Sequence, residues 1–221
     1  MTPMQVESTM SLTLAQQAAV ARLVYALESP GGVAIVCGPR GVGKTLVLSQ
    51  IAAARDHDDR PCLRCSARDG VPEATPHARS GAGILLVDDA HLVTAGELAA
   101  IVDTWRRRAP SGGLVLAGEG RLLTLVARDE RIEQAVMLRA VLGPFTLAES
   151  RLAVASLVAT TGTQDERDAL VRTIHEIAAG IPAQVVRLAE FVRAVADSAP
   201  TDRLTPDDVE SLHRRLSLQA A

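Results

Sequence analysis

The chain has 221 residues, 48% of them apolar and only 2% aromatic, with a formal net charge of −3. That length suits a main domain with a small appendage, and a core built from Ala, Val, Leu and Ile rather than aromatic rings favours an α/β protein with aliphatic parallel strands. The charge argues against a protein that coats nucleic acid through bulk attraction and leaves DNA as a partner only through a local basic patch, and no stretch approaches the roughly 20 apolar residues of a membrane span.

Residues 1–8 include Glu7 and lack the apolar centre of a secretion signal, so the expected compartment is the cytoplasm. Residues 13–27 read as a helix whose apolar stripe is Leu14, Ala18, Val20, Leu23, Val24 and Leu27. Pro30, Gly31 and Gly32 break it, and 33–37 is a short apolar run that reads as a buried strand. A glycine-rich loop and a helix over 44–55 follow. Residues 61–66 read as a second strand carrying Cys62 and Cys65. Residues three apart on a strand face opposite ways, so these two sulfurs are expected to be buried strand cysteines and not a redox or zinc pair.

Residues 66–82, rich in Gly, Pro, Ser and charge, read as a loop, and 84–87 as a buried strand running into Asp88 and Asp89. A helix over 95–108, a strand over 114–117, a short helix from near Arg121 and a last strand over 136–142 complete an alternating pattern. From Thr146 the period is helical only, with helices expected over 147–160, 164–178, 183–196 and 206–218. Thr205, Pro206, Asp207 and Asp208 combine a capping hydroxyl, a first-position proline and first-turn acids.

Gly38, Pro39, Arg40, Gly41, Val42, Gly43, Lys44 and Thr45 match G-x-x-x-x-G-K-[ST] in full, after a strand and before a helix. In such a P-loop the backbone N–H groups and the helix N-terminus cradle phosphates, the lysine reaches the β- and γ-phosphates, and the hydroxyl ligates Mg²⁺. The chain contains no Asn, and Lys44 is the only lysine among its 23 basic residues. A chain that otherwise uses Arg has kept a compact ammonium on a flexible stem at this one position.

Asp88, at the end of four aliphatic residues, is the expected Mg²⁺ ligand opposite Thr45, and Asp89 the expected carboxylate that orients the attacking water. His91, just after them, reads as a loop residue rather than a catalyst. Without Asn there is no guanine-reading N-K-x-D, which disfavours a GTPase. Arg106, Arg107 and Arg108 end a helix, where the dipole favours solvated cations, and are read so in preference to a DNA patch.

These motifs, in this order, resemble the AAA+ superfamily, and within it the ATPases of the ExeA type of general secretion and the TniB type of transposon helper. The resemblance covers almost the whole chain. Leu23 to Leu27 resembles the family's helix ahead of the P-loop, and Leu114 to Gly120 with Arg121 and Leu122 its fourth strand and sensor 1 turn. Leu142, Gly143, Pro144, Phe145 and Glu149 resemble its passage into the lid, and Gly180, Ile181, Pro182 and Val186 its sensor 2 helix.

The resemblance implies a P-loop ATPase core over 1–145 with a parallel five-stranded sheet flanked by helices, and a C-terminal helical lid over 146–221. It also implies ATP and Mg²⁺ as cofactors, slow hydrolysis that switches the assembly state, a homo-oligomer, and a protein partner. An ATP-binding scaffold with negligible turnover is the alternative. Three positions depart from the family. Asp89 stands where Glu is usual, Glu119 where an uncharged polar residue is usual, and Ala183 where an arginine commonly follows Gly-x-Pro. Arg187, one turn later, is the substitute expected at the nucleotide. The arginine acting in trans is expected among Arg128, Arg131 and Arg139, with Arg131 the first choice.

Overall fold

The computed structural model describes residues 12–55, 60–70, 83–155, 157, 163–198 and 205–219. Helix α1 (Leu14–Leu27) precedes β1 (Val33–Cys37), α2 (Lys44–Arg55), β2 (Cys62–Ser66), β3 (Ile84–Asp88), α3 (Ala95–Arg108) and β4 (Gly113–Gly118). Then come α4 (Gly120–Ala127), α5 (Glu130–Ala135), β5 (Val136–Val141) and the helices α6 (Leu147–Val154), α7 (Gln164–Ile177), α8 (Pro182–Ser198) and α9 (Pro206–Gln219). The chain divides into one compact unit over Gln16–Pro144 and another made of Met1–Ala15 with Phe145–Ala221.

The first unit is a five-stranded sheet of order β2-β3-β4-β1-β5, with every pairing parallel. Strands β1, β3 and β4 are buried along their whole length, as expected of aliphatic runs covered on both faces. On one face Val33, Ile35, Leu85, Val87, Leu114 and Leu116 pack with Leu98, Val102 and Trp105 of α3 and Leu122, Leu125 and Val126 of α4. Helix α2 packs on β2, β3 and β4 through the wholly buried Val47, Leu48 and Ile51. Strand β4 lies between β1 and β3, so the carboxyl ends of all three open on one edge of the sheet. In open parallel sheets this edge is where ligands are received.

Several expectations need correction. The buried face of α1 is Gln16, Ala19, Leu23, Ala26 and Leu27, while Leu14 is exposed and Val20 and Val24 are half-buried. The stripe read from hydropathy is therefore rotated, because a polar residue occupies the packed face. Cys62 and Cys65 lie on β2 as expected, but this is an edge strand and both are half-buried rather than buried. Burial raises the Cys65 thiol above its ordinary pKa. A short 3-10 helix (Ala90–Leu92) and helix α5 were not anticipated as separate elements. Helix α6 ends at Val154, and residues 156 and 158–160 of its expected span lie outside the described residues. So does most of the expected 66–82 loop.

In the second unit, Thr146 and Thr163 head α6 and α7 with reciprocal bonds to Glu149 and Glu166. Thr205 does the same for α9 with Asp208. Val154, Leu170, Val171, Ile174, Val185, Leu188, Val192 and Val209 form the core of this helical unit.

Candidate nucleotide site

The glycine-rich loop leaves the carboxyl end of β1 and turns directly into α2. Gly41 and Gly43 have φ of 84° and 97°, in the left-handed region open to glycine. Gly38 is required for a different reason: a Cβ there would lie 2.3 Å from the Leu142 carbonyl oxygen and 2.9 Å from Val42 Cγ2. Its N–H donates to Gly118 O at 3.2 Å, which ties the start of the loop to the end of β4.

Lys44, the first residue of α2, is 7% exposed. Its Nζ donates to Gly38 O and to Pro39 O, both at 2.8 Å, so the ammonium lies over the first two residues of the loop. These charge-assisted bonds compensate for its burial. Thr45 Oγ1 donates to Asp88 Oδ2 at 2.6 Å across the 43 residues that separate them. Asp88 Oδ1 accepts from the Asp89 N–H at 2.9 Å. The loop and the acid pair, separate in sequence, thus meet at one sheet edge. Thr45 and Asp88 present two hard oxygens side by side, and Mg²⁺ is commonly held by one or two carboxylates with substrate phosphates completing its shell. Among the described residues no cluster of three or more His, Cys, Asp or Glu could hold a metal alone.

Asp89 has φ 53°, an uncommon conformation for a residue with a side chain. Its carboxylate accepts a bond from Arg68 Nε at 2.6 Å, and that contact raises the arginine's pKa above its ordinary value. Arg64 on β2 donates from Nη1 to Ser49 Oγ at 2.6 Å and places Nη2 3.8 Å from Asp88 Oδ2. No motif marked Arg64 or Arg68. The available signal was position, since Arg64 lies near the carboxyl end of a parallel strand and Arg68 just past it. His91 is 8% exposed, with Nε2 3.7 Å from Glu119 Oε1, and among the described residues Nδ1 has no hydrogen-bond partner. Arg121 Nη1 donates to its carbonyl. Glu119 is thereby turned toward His91.

The candidate trans arginines lie on the same unit. Arg128 is exposed at the end of α4. Arg131 on α5 is exposed, and its Nε and Nη2 bond the Asp129 carboxylate at 3.2 and 3.0 Å. Arg139 on β5 bonds Glu133 at 3.1 Å. Arg187 belongs to the helical unit, where it is exposed on α8. Arg106, Arg107 and Arg108 are exposed in the last turn of α3.

No protein-family model and no curated protein matches the chain. Among solved structures it is similar to the RuvB Holliday junction branch migration motor of Thermotoga maritima, at 22% identity and a TM-score of 0.58 over 90% of this chain and 64% of that one. It is similar to the Aeropyrum pernix ORC1 protein in complex with DNA, at 18% identity and a TM-score of 0.65 over 94% of this chain and 66% of that one. It is also similar to the Aeropyrum pernix ORC2 protein in its ADPNP–ADP complexes, at 12% identity and a TM-score of 0.59, covering 89% of this chain and 65% of that one. The chain therefore spans slightly less than two thirds of each of these structures. A five-stranded parallel sheet, a P-loop at the end of β1 and these structural neighbours together give the chain the fold of the AAA+ P-loop ATPases.

Proposed function

We propose that this protein binds ATP with Mg²⁺ at Gly38, Pro39, Arg40, Gly41, Val42, Gly43, Lys44 and Thr45, and hydrolyses it slowly to switch its assembly with itself and with a protein partner. The observation that carries the proposal is the 2.6 Å bond between Thr45 and Asp88, which joins the phosphate loop to the acid pair. Thr45 and Asp88 would hold Mg²⁺, which supplies charge neutralisation to the phosphates when bound. Lys44 would contribute an ammonium to the same phosphates, and Asp89 is proposed as the carboxylate that orients water. Arg187 on the helical unit is proposed as a second cation for the nucleotide, and Arg131 as the arginine offered to a neighbouring subunit. A relationship to the ExeA and TniB types belongs to this proposal. The net charge of −3 offers DNA no bulk attraction.

The alternative, an ATP-binding scaffold with negligible turnover, draws support from a specific contact. Asp89 carries a side chain one methylene shorter than Glu and spends an oxygen on Arg68.

Calorimetric titration with Mg·ATP, followed by phosphate release, tests both readings. Wild type should bind, and Lys44→Ala should lose binding while keeping its circular dichroism spectrum. Equal affinity of the two proteins overturns the P-loop reading. Binding with no phosphate release above background selects the scaffold.

A further inference from the structure

Helix α1 places one amide side chain among its apolar contacts. Gln16 is 5% exposed and shares the packed face of α1 with Ala19, Leu23 and Ala26. Its Nε2 donates to the carbonyl oxygen of Val42, in the middle of the phosphate loop, at 3.0 Å. The seat is tight, because a Cβ on Gly43 would fall 2.4 Å from the same nitrogen. Gly43 thus answers two demands, a φ of 97° and room for Gln16.

The carbonyl of Val42 and the N–H of Gly43 belong to one peptide group. That group is planar and trans, so the two point in opposite directions. A donor that holds the Val42 carbonyl toward α1 therefore turns the Gly43 N–H away from α1. In a loop of this type the inward-facing N–H groups are the ones that bind phosphate. We infer that Gln16 is a positioning residue for phosphate binding: from outside the loop it fixes the Val42–Gly43 peptide plane and so presents the Gly43 N–H to the nucleotide. Gln16 touches no phosphate itself. The gain is preorganisation, since a loop already turned does not lose that freedom when the ligand arrives.

The inference rests on the proposed nucleotide site, and its test separates the two. Gln16→Met keeps the length and packing of the side chain and removes the donor. Gln16→Glu keeps the shape and sets a carboxylate against the Val42 carbonyl. In each variant that retains the wild-type circular dichroism spectrum, amide hydrogen exchange of residues 38–45 is followed without nucleotide, and the Kd for Mg·ATP is measured by calorimetry. Exchange in that segment should quicken and the Kd should rise by about three- to tenfold, the range expected for one net hydrogen bond. Gln16→Glu should show the larger change.

Where turnover is measurable, the ATP concentration for half-maximal rate should rise while the maximal rate holds. A residue that serves only to pack α1 would lower the melting temperature without moving the Kd of the folded protein. Unchanged exchange over 38–45 overturns the inference. If wild type binds no ATP, the nucleotide reading fails alone, and faster exchange in the variants still upholds the strut.

Discussion

Two neighbouring carboxylates end in different surroundings. Asp88 is 7% exposed and accepts from Thr45 and from a backbone N–H, which suits a group that stays put. Asp89, in a left-handed turn, bonds through its carboxylate to the more exposed Arg68. If the two divide the labour as proposed, Asp88→Ala weakens Mg²⁺-dependent ATP binding, and Asp89→Ala spares binding and lowers turnover by about 10² to 10⁴, the usual worth of a group that moves a proton or positions water. Parallel calorimetry and phosphate release check this. An Asp89 variant at the wild-type rate would remove Asp89 from the reaction.

At the scale of elements, helix starts are specified by short polar side chains, and these make separate predictions. Thr94 caps α3, with its hydroxyl accepting from the Glu97 N–H and the Glu97 carboxylate accepting from the Thr94 N–H. Thr94→Ala should destabilise the protein by about 1 kcal/mol, seen as a lower melting temperature.

The same contacts have a pH signature. Bonds from Thr94 hold the Glu97 carboxyl below its ordinary pKa, and bonds from Arg131 do so for Asp129. A carboxyl whose pKa is lower folded than unfolded adds stability above its unfolded value, and that stability fades as pH falls through the folded value. The melting temperature should therefore drop as pH is lowered from about 4, the ordinary carboxylate range. Asp129→Asn should flatten part of that drop.

At the scale of the whole molecule, the proposed hydrolysis bears on whether a second subunit takes part. Charge developing on the transferred phosphate is commonly met by an arginine from a neighbouring subunit, worth about 10³ to 10⁵ in rate where it operates. Arg131 is exposed, and its guanidinium is partly engaged by Asp129 in its own chain, so reaching a neighbour would exchange one carboxylate contact for another anion. Turnover per subunit should rise with protein concentration, and Arg131→Ala mixed into wild type should lower the rate of the mixture below the sum of its parts. Turnover that stays flat with concentration would mean a self-sufficient monomer.

Periodicity and turn chemistry were enough to read β1 and α2 from the sequence to the residue, because each is bounded by strong local signals, Gly31 and Gly32 and the P-loop itself; α3 was read from its helical period, and the structure adds the Thr94 cap that starts it. The eight residues of the loop were legible for the same reason, since their chemistry depends on neighbours in the chain. What the sequence could not decide were relations between residues far apart. Asp88 was expected opposite Thr45 from the two motifs taken together, but it is the order of the strands that brings Arg64 and Arg68 to the acid pair, and no local preference encodes that order. Gln16 did not enter the expected stripe because hydropathy selects apolar residues alone, whereas a buried amide is stable wherever a carbonyl waits for it. Only the packed structure shows that the carbonyl of Val42 is there.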